Sequence, residues 1–560
     1  MPEFLKLKKS DCRNCYKCIR HCPVKSIRFS GNRAHVVYDE CILCGQCYVI
    51  CPQNAKETVD ETEIVDVMLA DKSAPVYVSL APSFIAYFEG ASIRTMTDAL
   101  LKLGFAAVEE TAVGATLVKR EYEKAVKEKR SDVMITSCCH SVNLLIGKYY
   151  PDLMKYLLPV VSPMQAHCLD IKKRVPGAKT VFIGPCLSKK DEAYNGTVDA
   201  VLTFRELATM LKRAGVTVEN GEDNEEKTRA RLFPVVGGVI RTMDIPEGSG
   251  YTYLTVDGVE NCKAALSDIA AGNVHNCFIE MNACAGGCIG GPVMEKYRNS
   301  PVRHYKAILE YAGKEDFGVP AYASEFLHKD RGYIGVTKVM PTEDEIRAIL
   351  KSTGKVKPSD ELNCGTCGYE TCREKAIAVF QGKADINMCL PFLMQKAERF
   401  TGNILSNTPN GIIVVNEDLE VQQINKSALK MFNIQSAADV MGDQIVRLMD
   451  PLPFLDVLDE HKQVRGRREY YAEYNKYFDL TIIHDKASRI LIAILRDITD
   501  EEEERIKKEN ISRATVDIAD KVVDKQMRIV QEIASLLGET AAETKIALTK
   551  LKESIAHEDE

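Results

Sequence analysis

Three stretches decide how this chain folds: SDVMITSCCHSV (131–142), TVFIGPCLSKKDE (180–192) and NCFIEMNACAGGCIGGP (276–292). Each opens with an apolar run of strand length and passes directly into a loop that carries cysteine. Such runs alternate with helical stretches across 74–335, which predicts an α/β domain; VYVSLAP (76–82) and ARLFPVVGG (230–238) read as further strand-like runs. Open α/β folds build their sites in the loops after strand ends, so Cys138, Cys139, Cys186, Cys284 and Cys288 are expected to converge on one cavity. Cys168, Cys262 and Cys277 read as buried structural cysteines.

Toward the N-terminus, Cys12, Cys15, Cys18 and Cys22-Pro23 are followed by Cys41, Cys44, Cys47 and Cys51-Pro52, one spacing written twice. This is the bacterial two-cluster ferredoxin run. In it three close thiolates wrap one cubane and the remote fourth crosses to the other, so Cys51 completes the first cluster and Cys22 the second. Four-cysteine zinc sites would need two knuckles per metal and would not place Cys-Pro at both ends of a pseudo-repeat. Residues 1–58 therefore read as a ferredoxin-like module for two [4Fe-4S] clusters, an electron relay without a substrate pocket.

Composition sets the frame around these motifs. At 560 residues, the chain is too long for one core and should hold about three or four domains. It is 45% hydrophobic and 27% charged, with net charge -7, which offers no basic footprint for nucleic acid. No apolar run approaches a membrane span and no leader precedes the first module, so the expected location is cytoplasmic. Twenty cysteines in a reducing compartment, clustered at short gaps, point to metal ligation and away from disulfides.

TSCCHSV, GPCLSKKDE and EMNACAGGCIGGP resemble the three signature loops of [FeFe] hydrogenases, in the same order and at comparable spacing. The resemblance implies an H-cluster: a cubane on Cys139, Cys186, Cys284 and Cys288, with Cys288 bridging to a di-iron subcluster that carries carbon monoxide, cyanide and an azadithiolate. It also implies that Lys189 hydrogen-bonds a cyanide, that Pro82, Ser83, Phe233 and Asn282 line the cofactor pocket, and that Cys138 relays protons, with Glu121 as the next carrier. The plainer reading of Glu121 is a solvated helix face, and of Lys189 a solvated lysine beside Lys190. Such a site splits hydrogen heterolytically, passing the electrons to the cubanes. His140, Gly184 and Asn282 depart from the family's proline and two methionines, and Pro234 follows Phe233. These changes rebuild the inner pocket and lead us to expect altered, slow turnover.

Downstream, Cys364, Cys367, Cys372 and Cys389 in 355–398 resemble a small single-cubane domain, with AIAVF helical between the third and fourth cysteines; four thiolates would also suit zinc. That makes four [4Fe-4S] clusters in all. The region 399–499 resembles a PAS domain, with a Gly-started strand, a second strand ending at Asn425 and a closing strand that finishes in Arg496-Asp497-Ile498-Thr499; His484 reads as a surface residue. The tail, 500–560, reads as one or two amphipathic helices that pair as a coiled coil or pack on the PAS domain.

The fold class expected is thus multidomain, α/β and α+β. The domain order resembles that of the sensory [FeFe] hydrogenases. This implies hydrogen as ligand, a redox partner, a downstream signalling protein, maturation proteins that insert the di-iron part, and a homodimer formed through the PAS domain and helix. Two alternatives stand beside it: a catalytic hydrogenase whose PAS domain only assembles it with an electron-accepting enzyme, and an iron–sulfur scaffold without the di-iron part.

Overall fold

The computed structural model describes residues 4–8, 11–194, 196–221, 227–336, 338–460 and 464–556. Two compact units divide it, Met1–Leu393 and Met394–Glu560.

The first unit opens with two short antiparallel pairs. β1 (Leu5–Leu7) pairs with β4 (Lys56–Thr58), and β2 (Ile27–Ser30) with β3 (Arg33–Val36). Between and around them run the eight N-terminal cysteines. The central domain follows with β5 (Val76–Leu80), β6 (Ala107–Glu110), β7 (Val133–Ile135), β8 (Lys179–Gly184), β9 (Ala200–Thr203), β10 (Thr252–Asp257) and β11 (Cys277–Asn282). They form two sheets, one in the order β6-β5-β8-β9 and one in the order β10-β11-β7, parallel throughout. Val78, Leu80, Val181, Ile183, Val201 and Leu202 are all fully buried, the pattern of strands covered on both faces by crossover helices.

One expected strand is absent. ARLFPVVGG forms a 3-10 turn at Arg229–Leu232 and a short helix at Gly238–Thr242. Pro234 has no N–H to give a ladder, and Gly237 takes φ +73°. The run's one cation is neutralised: Arg231 is fully buried, with its guanidinium on the carboxylate of Glu110 at 2.5 to 3.2 Å.

The third cysteine cluster closes this unit, with the helix Cys372–Phe380 between its third and fourth members. It packs on the N-terminal module: Phe29 N–H donates to Lys383 O (2.7 Å), Lys25 Nζ to Gly368 O (3.3 Å), and Lys383 pairs with Glu40.

The second unit is a five-stranded antiparallel sheet built from β12 (Gly411–Asn416), β13 (Val421–Ile424), β14 (Val464–Tyr471), β15 (Lys476–Asp485) and β16 (Ile490–Asp497), in the order β13-β12-β16-β15-β14. Asn425, at the end of β13, caps the next helix: its Oδ1 accepts from Ala428 N–H and Ile412 N–H, both at 2.9 Å. His484 is half-buried: it follows the buried Phe478, Leu480 and Ile482 along one face of β15, and its Nε2 lies 3.5 Å from Glu417 Oε1. The tail is a single helix, Thr499–Ala556, anchored by buried Glu502 on Arg468 at 2.7 Å. No helix among the described residues is long and apolar enough to cross a membrane.

Candidate active site

The two parallel sheets of the central domain point their carboxyl ends at one cavity. β7 delivers Cys138 and Cys139, β8 Cys186, β11 Asn282, Cys284 and Cys288, and the loop after β5 Pro82 and Ser83. Lys189 and Phe233 complete the wall, and Leu43 and Cys44 reach it from the N-terminal module. The cavity encloses about 110 Å³, where one water needs about 10–15 Å³, so it has room for a sizeable inorganic group.

Local backbone chemistry sets the cysteines. Cys139 stands at the N-cap of the helix His140–Tyr149, and Cys186 two residues before the helix Ser188–Tyr194. Cys288 sits in a 3-10 turn entered through Gly286 and Gly287, both at φ +79°. A Cβ on Gly287 would come within 2.6 Å of Pro234 O, so the loop closes only around glycine. A Cβ on Gly45, next to Cys44, would lie 2.4 Å from the ring of Pro292. This close approach brings the N-terminal cysteines to the cavity wall.

Electrostatics mark the wall as a place for a bound cation. Burial, reinforced by neighbouring thiols, raises the pKa of Cys139 and Cys284 above that of a free thiol. Four crowded thiols become thiolates together only when a metal compensates their charge. Lys189 is not solvated, nor is Lys190. Lys189 Nζ donates to Cys138 O (3.1 Å) and to Glu192 Oε2 (2.5 Å). Burial opposes its charge, but Glu192 and the Cys186 and Cys139 sulfurs outweigh it and raise its pKa. Lys190 is buried on Glu206 at 2.9 Å. His140, in place of the family's proline, pairs with Asp191 at 2.7 Å.

The Ser83 hydroxyl lines the cavity, is fully buried and has no hydrogen-bond partner among the described residues. A buried orphan donor costs about 1–3 kcal/mol unless a ligand takes it. Four thiols, a cation, an orphan hydroxyl and a glycine cradle suit the group that the signature loops imply.

Two neighbours were missed by sequence reasoning. Tyr122 Oη lies 3.2 Å from Cys138 Sγ, whereas Glu121, one residue earlier, is buried off the cavity wall. Glu280 is fully buried within β11, holding Gly237 N–H and Ile240 N–H at 3.1 Å each, and burial pushes its pKa up to about 7. Asn282 Nδ2 donates to it at 3.1 Å. Its signal was present in the sequence, a lone acid inside an apolar strand. Cys168, Cys262 and Cys277 are buried.

The remaining cysteines fall into compact groups. Among the electrostatic neighbours of Cys18 are Cys12, Cys15 and Cys51; those of Cys47 include Cys22, Cys41 and Cys44. Cys364, Cys367, Cys372 and Cys389 surround a cavity of their own. Tyr369 stands where the fields of Cys367 and Cys22 meet, next to the N-terminal module.

Residues 74–292 match the family described as iron only hydrogenase large subunit, C-terminal domain. The central domain is similar to that family. Residues 4–52 match a 4Fe-4S dicluster domain, 360–391 a putative Fe-S cluster domain, and 400–474 the PAS fold. The chain is 28% identical over 366 residues to the NADP-reducing hydrogenase subunit HndD of Solidesulfovibrio fructosivorans, covering 52% of this chain and 61% of that one. It is 29% identical over 365 residues to the periplasmic [Fe] hydrogenase large subunit of Nitratidesulfovibrio vulgaris, covering 52% and 87%. A variant of the [FeFe]-hydrogenase HydA1 from Chlamydomonas reinhardtii superposes with TM-score 0.41 at 20% identity, covering 50% of this chain and all of that one.

Proposed function

We propose that this iron-only hydrogenase relative binds and slowly turns over hydrogen at the cavity, and that its PAS domain and tail report the redox state of its clusters to a partner protein. The observation that carries the reading is the unpartnered Ser83 hydroxyl on the same wall as Cys139, Cys186, Cys284, Cys288 and Lys189. When bound there, an H-cluster with a di-iron subcluster bearing carbon monoxide, cyanide and azadithiolate supplies heterolytic cleavage of hydrogen.

The chain's own residues do the rest. The four thiolates would hold the cubane, Lys189 and Ser83 would offer hydrogen-bond donors to the subcluster, and Pro82, Phe233 and Asn282 would shape the pocket. Cys138 takes part in proton transfer, with Glu121 kept as a candidate carrier. The eight N-terminal cysteines, of which Cys44 reaches the cavity wall, would hold two [4Fe-4S] clusters, and Cys364, Cys367, Cys372 and Cys389 a fourth; bound there, these groups would supply an electron relay. Retention of Cys138 favours a second reading, a catalytic hydrogenase within an electron-transfer complex. Hydrogen uptake by the matured chain with a dye acceptor, compared with the response of a partner protein, separates the two: slow uptake with a response supports the sensor, fast uptake without one supports the catalyst.

A further inference from the structure

A hydrogen-bonded chain leads from the cavity wall to the rim of the domain, away from Cys138. Thr111, one residue past β6, lines the cavity, and its Oγ1 lies 2.8 Å from Ser79 Oγ on β5. Ser79 Oγ lies 2.8 Å from Nδ1 of His167 in the helix Pro163–Arg174, and His167 Nε2 lies 3.1 Å from Glu109 Oε2. Ser79 and His167 are fully buried, Thr111 nearly so, while a quarter of the Glu109 side chain is exposed. Four side chains thus bridge from cavity to solvent through three hydrogen bonds.

The network around Cys138 ends differently. Its half-buried thiol meets Tyr122, Tyr122 meets Ser137, and Ser137 donates to the Val160 carbonyl at 2.6 Å, the last three all buried. A backbone carbonyl has no proton to pass on.

We propose that Thr111, Ser79, His167 and Glu109 form a second proton outlet of the cavity; the proposal rests on the reading of that cavity as a hydrogen site. A proton released in the cavity binds Thr111 Oγ1 as the hydroxyl's own proton moves to Ser79 Oγ. Ser79 passes its proton to Nδ1 of His167, and the ring gives up its Nε2 proton, along its hydrogen bond to Glu109, to the water at the rim. Each O–H or N–H bond broken is matched by one formed, and no electron travels this way. Burial works against the Glu109 charge, but His167 and Arg174 hold its pKa down to about 2, so it remains an acceptor and keeps the Nε2 hydrogen in place. Glu109, His167 and Asp170 cluster closely enough to suggest a cation site. Arg174 already fills that role, 2.5 Å from Glu109 and 2.8 Å from Asp170.

The test uses the full chain. After maturation, H167F and S79A should keep their iron and their carbonyl and cyanide infrared bands, while turnover falls about a hundredfold, the scale of a lost general acid–base group. Added imidazole should restore part of the rate in H167A. Before maturation, the ring proton of His167, followed by NMR of histidine-labelled protein, should exchange with solvent deuterium despite full burial and do so more slowly in E109Q. Wild-type turnover in S79A and H167F with bands intact, or equal exchange in wild type and E109Q, overturns the outlet and leaves the hydrogen reading standing. If the unaltered matured chain shows neither bands nor turnover, the hydrogen reading falls and takes the outlet with it.

Discussion

The hydroxyl of Tyr122 lies 3.2 Å from the sulfur of Cys138 and accepts from Ser137 N–H at 2.9 Å. The thiol of Cys138 is therefore held by a phenol and has no carboxylate as its hydrogen-bond partner among the described residues. Replacing Cys138 by Ala should leave iron content intact, because Cys139 is the proposed ligand, and slow turnover by about 10²-fold or less. Y122F should also slow turnover and, by leaving Ser137 N–H unpaired, cost about 1–3 kcal/mol of stability. Iron analysis, turnover and denaturant titration of both variants check this. Loss of the cubane in C138A would reverse the ligand assignment.

Glu280 yields a pH signature. Burial raises its pKa to about 7 in the folded chain, against about 4.3 in an unfolded one, so between these values the folded state binds more protons and stability falls as pH rises. The stabilising contribution of the neutral acid is complete below about pH 4 and lost as pH passes 7. The unfolding free energy from denaturant titration should decline in wild type by roughly 2 kcal/mol between pH 5.5 and 8, at 1.36 kcal/mol per pH unit up to about pH 7, and stay nearly flat in E280Q.

Gly287 should tolerate no side chain. G287A places a Cβ 2.6 Å from Pro234 O at φ +79°, which costs on the order of 1–3 kcal/mol of backbone strain and displaces Cys288. Iron analysis of G287A after maturation should show loss from this cluster alone, with the ferredoxin-type signals in electron paramagnetic resonance unchanged.

Val516, Val523, Val530 and Leu537 recur every seven residues on the tail helix, and all are exposed. Such a stripe is buried when two copies pair. Light scattering should give a dimer for the full chain and a monomer after deletion of 500–560, with hydrogen oxidation nearly unchanged. A monomeric full chain would remove the helix as the pairing element.

Much of this was legible beforehand because strand ends and cysteine spacing are local. Val133–Ile135, Lys179–Gly184 and Cys277–Asn282 are strands, and each leads into its cysteine loop. ARLFPVVGG misled because apolarity alone does not reveal a proline that breaks a ladder or an arginine neutralised by Glu110. Tyr122 was missed because adjacent helix positions point about 100° apart, so one residue's error moves the contact from Glu121 to its neighbour. The chain from Thr111 to Glu109 was out of reach. Residues 79, 109, 111 and 167 meet only because β5 pairs in parallel with β6, setting Ser79 opposite Glu109, while the helix that carries His167 packs on β5.

Infrared spectroscopy of the matured full chain, first under nitrogen and then under hydrogen, tests the central claim most directly. Carbonyl and cyanide stretching bands that shift on admission of hydrogen are the predicted result, and K189A should weaken or abolish them by removing the cation beside the proposed subcluster site. A fully matured chain with its cubanes in place and no such bands would contradict the account.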